Sequence, residues 1–70
     1  VFISWDRSVL PTHNDKAILH FLRHFITEKK TLEDSINMTL KEVGYDPEHL
    51  SKLEYYPPEK GHFTVDELIG

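Results

Sequence analysis

The chain has 70 residues, with 12 acidic and 8 basic side chains, a net charge of −4 and no cysteine. This length accommodates one domain with a thin core. The composition excludes disulfides and thiolate metal sites, argues against a nucleic-acid partner and contains no apolar run of the roughly 20 residues that span a membrane. We therefore expect residues 1–70 to form a single small domain, or a fragment of a larger one, in a reducing cytoplasm.

The first predicted element is a buried strand over residues 1–5, VFISW, where apolar, β-branched and aromatic residues precede a polar loop. No second strand is recognised, so this strand has no expected pairing partner. Unpaired backbone groups are costly when buried. The chain also begins inside this strand without an initiator methionine. We therefore expect a piece whose neighbouring strands lie elsewhere.

A long helix is predicted next, beginning at the capping residue Asn14, with Asp15 in its first turn, and ending near Lys29. Its apolar residues recur at helical spacing and predict the core-facing side: they are Ala17, Ile18, Leu19, Phe21, Leu22, Phe25 and Ile26. Polar residues fall mainly on the other side: Lys16, His20, Arg23, His24 and Thr27.

A second helix follows, with Thr31 as its capping residue, Asp34 three positions later and Gly44 at its end. It carries a narrow apolar stripe made of Leu32, Ile36, Leu40 and Val43. Because the link between the two helices is short, they are expected to pack antiparallel as a helical hairpin.

The remaining residues predict a short third helix and a connection. Asp46, followed by proline and glutamate, gives a helix start signal, and the helix is expected to reach about Leu53. Residues 54–62 predict an extended connection, and Thr64 with Glu67 forms a capping box that opens a further helix. The fold class expected is an α-rich α/β protein with one N-terminal strand, a helical hairpin and a short third helix.

Three histidines offer a pattern of metal ligands. His20 and His24 lie four residues apart on a predicted helix, and His13 lies one loop earlier, so with a carboxylate or water they could supply zinc with four ligands. The alternative is that these histidines are solvated on a polar helix face. Phe21 follows His20, so the general base of the His-Glu-x-x-His motif is missing. This alternative, with no cofactor, is favoured over zinc.

No residue pattern predicts catalysis by this chain alone. Cysteine is absent, and no serine is flanked by the glycines of a nucleophile elbow. Tyr55 and Tyr56, followed by two prolines, are either a recognition segment or aromatic residues that pack against the helical hairpin. We expect a protein that is not an enzyme on its own.

The order of several short motifs resembles a known family. A strand ending in a Ser-Trp-Asp sequence is followed by a helix that opens with Asp-Lys-Ala, and then by a Lys-Thr-Leu turn into a second helix. This order is similar to the C-terminal stretch of caspase-like peptidase domains, especially the CHAT and gingipain- or clostripain-like branch. The motifs are SWD at residues 4–6, DKA at 15–17, ILHFL at 18–22 and KTLEDSI at 30–36, and the resemblance covers residues 1–44.

The resemblance implies a fold and a role for two residues. The chain would be an edge piece of a three-layer α/β/α domain, whose other strands would pair with residues 1–5. The histidine and cysteine of the catalytic dyad would lie upstream, and no residue here matches them. By analogy, Trp5 and Asp6 would contact a peptide substrate, with Asp6 suited to a basic side chain. The alternative for both is strand-end packing and a solvated turn.

Two functions are therefore expected. The leading one is a non-catalytic C-terminal segment of a caspase-like peptidase domain, structural and groove-forming. The alternative is an autonomous small helical protein-interaction module with a groove near Tyr55 and Tyr56. The expected partner is the remainder of a parent chain or another protein, with self-association through the apolar strand and no role for nucleic acid or membrane.

Overall fold

A computed structural model describes residues 1–69. Two short strands and two long helices form most of the fold, and a one-turn helix lies near the C-terminal end. The elements are β1 (Phe2–Trp5), α1 (Pro11–Leu22), α2 (Leu32–Val43), β2 (Leu53–Tyr56) and α3 (Val65–Ile69). A π-helical turn, Arg23–Thr27, continues α1, and a 3-10 helix, Pro58–His62, follows β2.

The N-terminal strand has a partner within the chain. β1 pairs antiparallel with β2, and the register places Phe2 opposite Tyr56 and Trp5 opposite Leu53. The expectation that β1 lacks a partner was therefore wrong. The sequence signal for β2 is weak, because its four residues follow a helix start signal and precede two prolines, although tyrosines and leucine suit a half-buried strand.

The predicted helical hairpin is confirmed, although its first helix begins earlier than expected. Pro11 occupies the first turn of α1 and Leu10 is the extended residue before it, so Asn14 lies inside the helix and does not cap it. Proline is well suited to this position because its fixed φ matches the helix and its missing N–H would be unpaired there. The π-helical turn that continues α1 ends at Thr27, and Lys29, two residues later, adopts a left-handed φ of 58°.

The predicted ends of α2 are both confirmed. The Thr31 hydroxyl accepts a hydrogen bond from the Asp34 N–H at 3.2 Å, and Gly44 ends the helix with a φ of 74°. A side chain with a Cβ is strained at this φ, so glycine is the natural residue at this helix end.

The core forms where the helical hairpin covers the inner face of the sheet. Its buried apolar residues are Ala17, Phe21, Phe25, Leu32, Ile36 and Leu53, and the inner-face residues Ile3, Trp5 and Tyr55 pack against them. Phe21 and Phe25 stack with ring centroids 5.3 Å apart. The predicted class, an α-rich α/β protein with a helical hairpin, is confirmed.

The short helix predicted from Asp46 to about Leu53 does not form. Asp46 is fully buried, and its carboxylate accepts hydrogen bonds from the N–H groups of Leu10, Glu48 and His49, at 2.8, 3.1 and 2.6 Å, and from the His49 ring. The segment makes a turn instead, and Leu50 then adopts a left-handed φ of 57°, which a continuing helix does not allow.

These contacts define the Asp46 cluster, which ties the loop after β1 to the loop before β2. Burial by itself would raise the pKa of Asp46, but the N–H donors of Leu10, His49 and Glu48 and the His49 ring outweigh it and lower the pKa to about 2. Beside the cluster, the buried Ser51 hydroxyl donates to the Ser8 carbonyl at 2.7 Å.

The C-terminal end of the described chain returns to the helical hairpin. The Thr64 N–H donates to the Glu67 carboxylate at 2.9 Å, which is one half of the predicted capping box. The Phe63 carbonyl accepts from the N–H of Leu32 at 2.8 Å, so the start of α2 is fixed to this segment. Within residues 1–69, no helix is both long and apolar enough to cross a membrane.

Candidate functional site

The two residues expected to contact a substrate lie at the end of β1 and make contacts within the chain. The half-buried Trp5 ring donates its Nε1–H to the Asn14 side chain at 2.8 Å and lies 5.4 Å from the His13 ring, centroid to centroid. The exposed Asp6 carboxylate accepts from the Lys52 N–H at 2.9 Å. Both residues therefore fasten the end of the sheet, and a substrate role for them stays a prediction.

The structure brings together two of the three histidines proposed as metal ligands. His20 and His24 both contact one oxygen of Glu42 at 2.8 Å, whereas His13 is bonded to the Gly44 carbonyl at 3.1 Å. Among residues 1–69, no group of three or more histidine, aspartate or glutamate side chains is arranged to hold a metal ion.

The environment of His24 differs from the solvated one expected. Its side chain is only 3% exposed, because the π-helical turn directs it inward between Glu28 and Glu42, with both ring nitrogens 2.8 Å from a carboxylate oxygen. The hydrogen bond with Glu42 raises the pKa of His24; burial opposes this change, and the hydrogen bond with Glu28 adds to it.

Glu42 is the negative centre of this ionic cluster. It accepts from His24 and His20, which lower its pKa to about 2, and from the Arg23 guanidinium at 3.2 Å. Glu28, on the other side of His24, also has a lowered pKa, chiefly because of its hydrogen bond with His24. These ion pairs connect the first helical segment to α2 and stabilise the helical hairpin. The role of the cluster is therefore structural.

Within residues 1–69, the edge of β1 that faces away from β2 pairs with no other strand. The Asp6 N–H donates to the Lys52 carbonyl, and hydrogen-bonded pairs alternate in an antiparallel ladder. The pairs Ser4–Glu54 and Phe2–Tyr56 therefore carry the bonds between the strands. The backbone groups of Ile3 and Trp5 point away from β2.

An exposed apolar stripe runs along α1 and the π-helical turn that continues it. Asn14 binds Trp5, and steps of about four residues along the helix lead from Asn14 to Ile18, Leu22 and Ile26. These three are exposed, Leu22 by 44%, and Leu19 beside them is exposed too. We call the β1 edge together with this stripe the β1–α1 face. The apolar side of α1 is therefore wider than the core covers.

Aromatic side chains are also exposed on the outer face of the sheet, the face that the helices do not cover. Phe2 and Tyr56 are directly opposite each other in the register, and they are 66% and 67% exposed. Residues that alternate along a strand face opposite sides, so this aromatic pair lies on the side of the sheet away from the helices.

A groove lies on the other side of the molecule, between α2 and the free edge of β2. It has a volume of about 280 Å³. Its apolar lining consists of Ile36 and Leu40 from α2, Leu53 and Tyr55 from β2, and Pro58; Asn37, Lys52 and Glu54 complete it. We call it the β2–α2 groove. A recognition groove was expected near Tyr55 and Tyr56; Tyr55 lines this groove and Tyr56 does not, and a binding role for it stays a prediction.

Two features were not predicted from the sequence: the exposure of several apolar residues of α1 and the burial of His24. Helical periodicity identifies an apolar side but not how much of it a neighbouring element covers. For His24, the only available signal was the acidic residue four positions later, Glu28, which is the spacing of a helical ion pair.

Comparison with known proteins gives no match: no family model, curated protein or solved structure is significantly similar to the chain.

Proposed function

We propose that the chain is a non-catalytic structural segment of a larger α/β domain, which it joins through the β1–α1 face. Two observations carry this proposal: within residues 1–69 the outer edge of β1 pairs with no other strand, and the stripe of Ile18, Leu22 and Ile26 is exposed. An additional strand on β1 would pair with the backbone groups of Ile3 and Trp5, and a further element packed on α1 would bury the stripe.

The bare outer face of the sheet supports a three-layer arrangement. In α/β domains, both faces of the central sheet are covered by helices. Here α1 and α2 cover only the inner face, and Phe2 and Tyr56 are left exposed on the outer one. A second helical layer from the parent domain would cover this aromatic pair.

The resemblance to caspase-like peptidase domains gives this proposal its most specific form. In that form the chain is an edge piece of the peptidase fold, the catalytic dyad belongs to the remainder of the domain, and Trp5 and Asp6 lie near its substrate groove. The Asp6 carboxylate is exposed and so remains accessible to a basic side chain.

The second candidate is an autonomous protein-interaction module of the cytoplasm, a reducing compartment that a chain without cysteine suits. The accessible surface is 4578 Å², close to the ~4,500 Å² of a folded monomer of this mass. Within residues 1–69 every buried side-chain nitrogen and oxygen has a hydrogen-bond partner. These two observations favour a chain that folds alone, and the β2–α2 groove would then be its binding site.

Sedimentation velocity of the isolated chain, over a wide concentration range, tests the proposed docking face. We expect the wild-type chain to self-associate through the β1–α1 face and Leu22→Lys to be monomeric, because a charge in the stripe opposes its burial. Ile69→Lys is the matched control: it places the same charge at an apolar residue on α3 that is 80% exposed, and it should associate like the wild type.

The same samples separate the two candidates. A wild-type chain that stays monomeric at all concentrations and melts in one cooperative transition would contradict the docking face and support the autonomous module. Association that Leu22→Lys and Ile69→Lys reduce equally would show a nonspecific apolar effect, and this too would contradict the proposal.

A further inference from the structure

We infer that the β2–α2 groove binds an extended peptide, which adds to the free edge of β2 as a third strand and places an aliphatic side chain in the groove. This inference concerns the surface opposite the β1–α1 face, so it holds whether the chain folds alone or within a larger domain.

The backbone of β2 identifies the ligand as an extended chain. The alternation that turns Ile3 and Trp5 away from β2 also turns the backbone groups of Leu53 and Tyr55 away from β1, toward the groove. Leu53 is only 2% exposed, so the accessible backbone groups at this edge are those of the half-buried Tyr55. No backbone bond of the turns and loops within residues 1–69 reaches these groups. A peptide strand would supply the matching N–H and C=O groups, as in other complexes formed by strand addition.

The size and lining of the groove suit one or two side chains. Its volume of about 280 Å³ is at the lower limit of ligand pockets, which begin at roughly 300 Å³. Ile36 and Leu53 form a buried floor, and Leu40 and Tyr55 are half-buried beside them. Alternate side chains of a strand point to one side, so one valine or isoleucine in every two positions could enter.

Tyr55 is fixed as one wall of the groove. A Cβ placed at the buried Gly61 would overlap the Tyr55 hydroxyl and ring, so the absence of a side chain at Gly61 makes room for the tyrosine. Burial raises the pKa of Tyr55, and the nearby negative charge of Glu33 adds to the rise. This wall is therefore neutral at physiological pH and adjoins an acidic residue.

The charges around the groove favour one orientation of a bound peptide. Glu33, Asn37 and Lys41 follow one another at intervals of four along α2 and are all exposed, so they form one row beside the groove. Glu33 is at the Tyr55 end, whereas Lys41 and the groove residue Lys52 are at the opposite end. A peptide antiparallel to β2 should therefore carry a basic residue before its aliphatic residues and an acidic residue after them.

The test is a titration of the isotope-labelled chain with the blocked hexapeptide KTVTVE, followed by amide proton–nitrogen correlation spectra. We expect the amides of Leu53 and Tyr55 to shift and the hydrogen exchange of the Tyr55 amide to slow. Lys52→Glu should weaken binding about fivefold, because it replaces an attraction to the peptide carboxylate by a repulsion. Lys16→Glu, the same change at an exposed lysine on α1, should leave the affinity unchanged.

Two further peptides make the test specific. The charge-reversed peptide ETVTVK should bind more weakly than KTVTVE. The peptide KTPTPE cannot donate the backbone hydrogen bonds and should not bind. Equal binding of KTPTPE, or no shifts up to about 2 mM KTVTVE, would overturn the inference. Shifts confined to Ile3, Trp5 and the α1 stripe would overturn it too, and they would leave the proposed docking through β1 intact.

Discussion

The Asp46 cluster and the two sheet edges satisfy backbone polar groups in opposite ways. At the Asp46 cluster, three backbone N–H groups outside regular structure converge on one buried carboxylate. At the sheet edges, the backbone groups of Ile3, Trp5 and Tyr55 have no such partner within residues 1–69. The first region is complete within the chain, and the second is open to an added strand. The difference separates what stabilises the fold from what is available for binding.

The largest loss of thermal stability is expected from a substitution in the Asp46 cluster. Asp46→Ala removes the acceptor of three backbone N–H groups in a buried site, so these groups lose their partners and the loops before β2 and after β1 separate. We expect the Tm to fall by about 10 °C or more.

Asp6→Ala is the control for Asp46→Ala in calorimetry. Its carboxylate is exposed and accepts a single backbone N–H, that of Lys52, so the loss should be only a few degrees. Equal losses in the two variants would mean that burial does not distinguish the Asp46 cluster from the sheet end.

An intermediate loss of stability is expected from a substitution at Gly61, which lies against the Tyr55 wall of the groove. Gly61→Ala forces the Tyr55 ring to move, because the new methyl group would occupy the space of its hydroxyl. Overpacking of this kind costs roughly 1–3 kcal/mol of the free energy of unfolding. Chemical denaturation measures this cost, and Gly61→Ala should cost much less in a Tyr55→Leu background than in the wild type, since leucine has no hydroxyl at that position.

A smaller, pH-dependent effect is expected at His24. Its pKa is raised above the ordinary 6.5, so its contribution to stability is complete below pH 6.5 and is lost as the pH rises through the folded-state value. Glu42 acts in the opposite range: its pKa falls from 4.5 to about 2, so its contribution is present above pH 4.5 and is lost as the pH falls toward 2.

Thermal melts of the wild type and His24→Gln from pH 3 to 9 measure this dependence. The difference in Tm should be greatest between about pH 4.5 and 6.5, where both charges are present. A difference that grows steadily above pH 7 would contradict a charged His24 in the folded state.

The smallest effect on stability is expected at the open β1–α1 face. Leu22→Lys changes a side chain that is 44% exposed and is not one of the buried core residues, so the free energy of unfolding should change by no more than about 0.5 kcal/mol. Chemical denaturation of the monomeric variant checks this value. A loss of several kcal/mol would mean that Leu22 belongs to the core and not to a docking surface.

Local sequence signals determined the helices of this protein. Thr31 and Gly44 set the ends of α2, Thr64 and Glu67 set the start of α3, and the apolar periodicity indicated the helical hairpin, because caps and helical spacing act over a few neighbouring residues. The start of α1 was misplaced because two local signals competed, and the proline at Pro11 prevailed over the capping residue Asn14.

Contacts between distant residues were decided only by the tertiary structure. β2 exists because it pairs with a strand about fifty residues earlier. Asp46 accepts local hydrogen bonds from Glu48 and His49, but it is buried and fixed to the loop after β1 by the N–H of Leu10. Likewise, Ile18 and Leu22 are exposed because α2 covers only part of the apolar side of α1. Periodicity along the chain specifies which residues share a side of an element, whereas the neighbour that covers this side depends on how the elements pack.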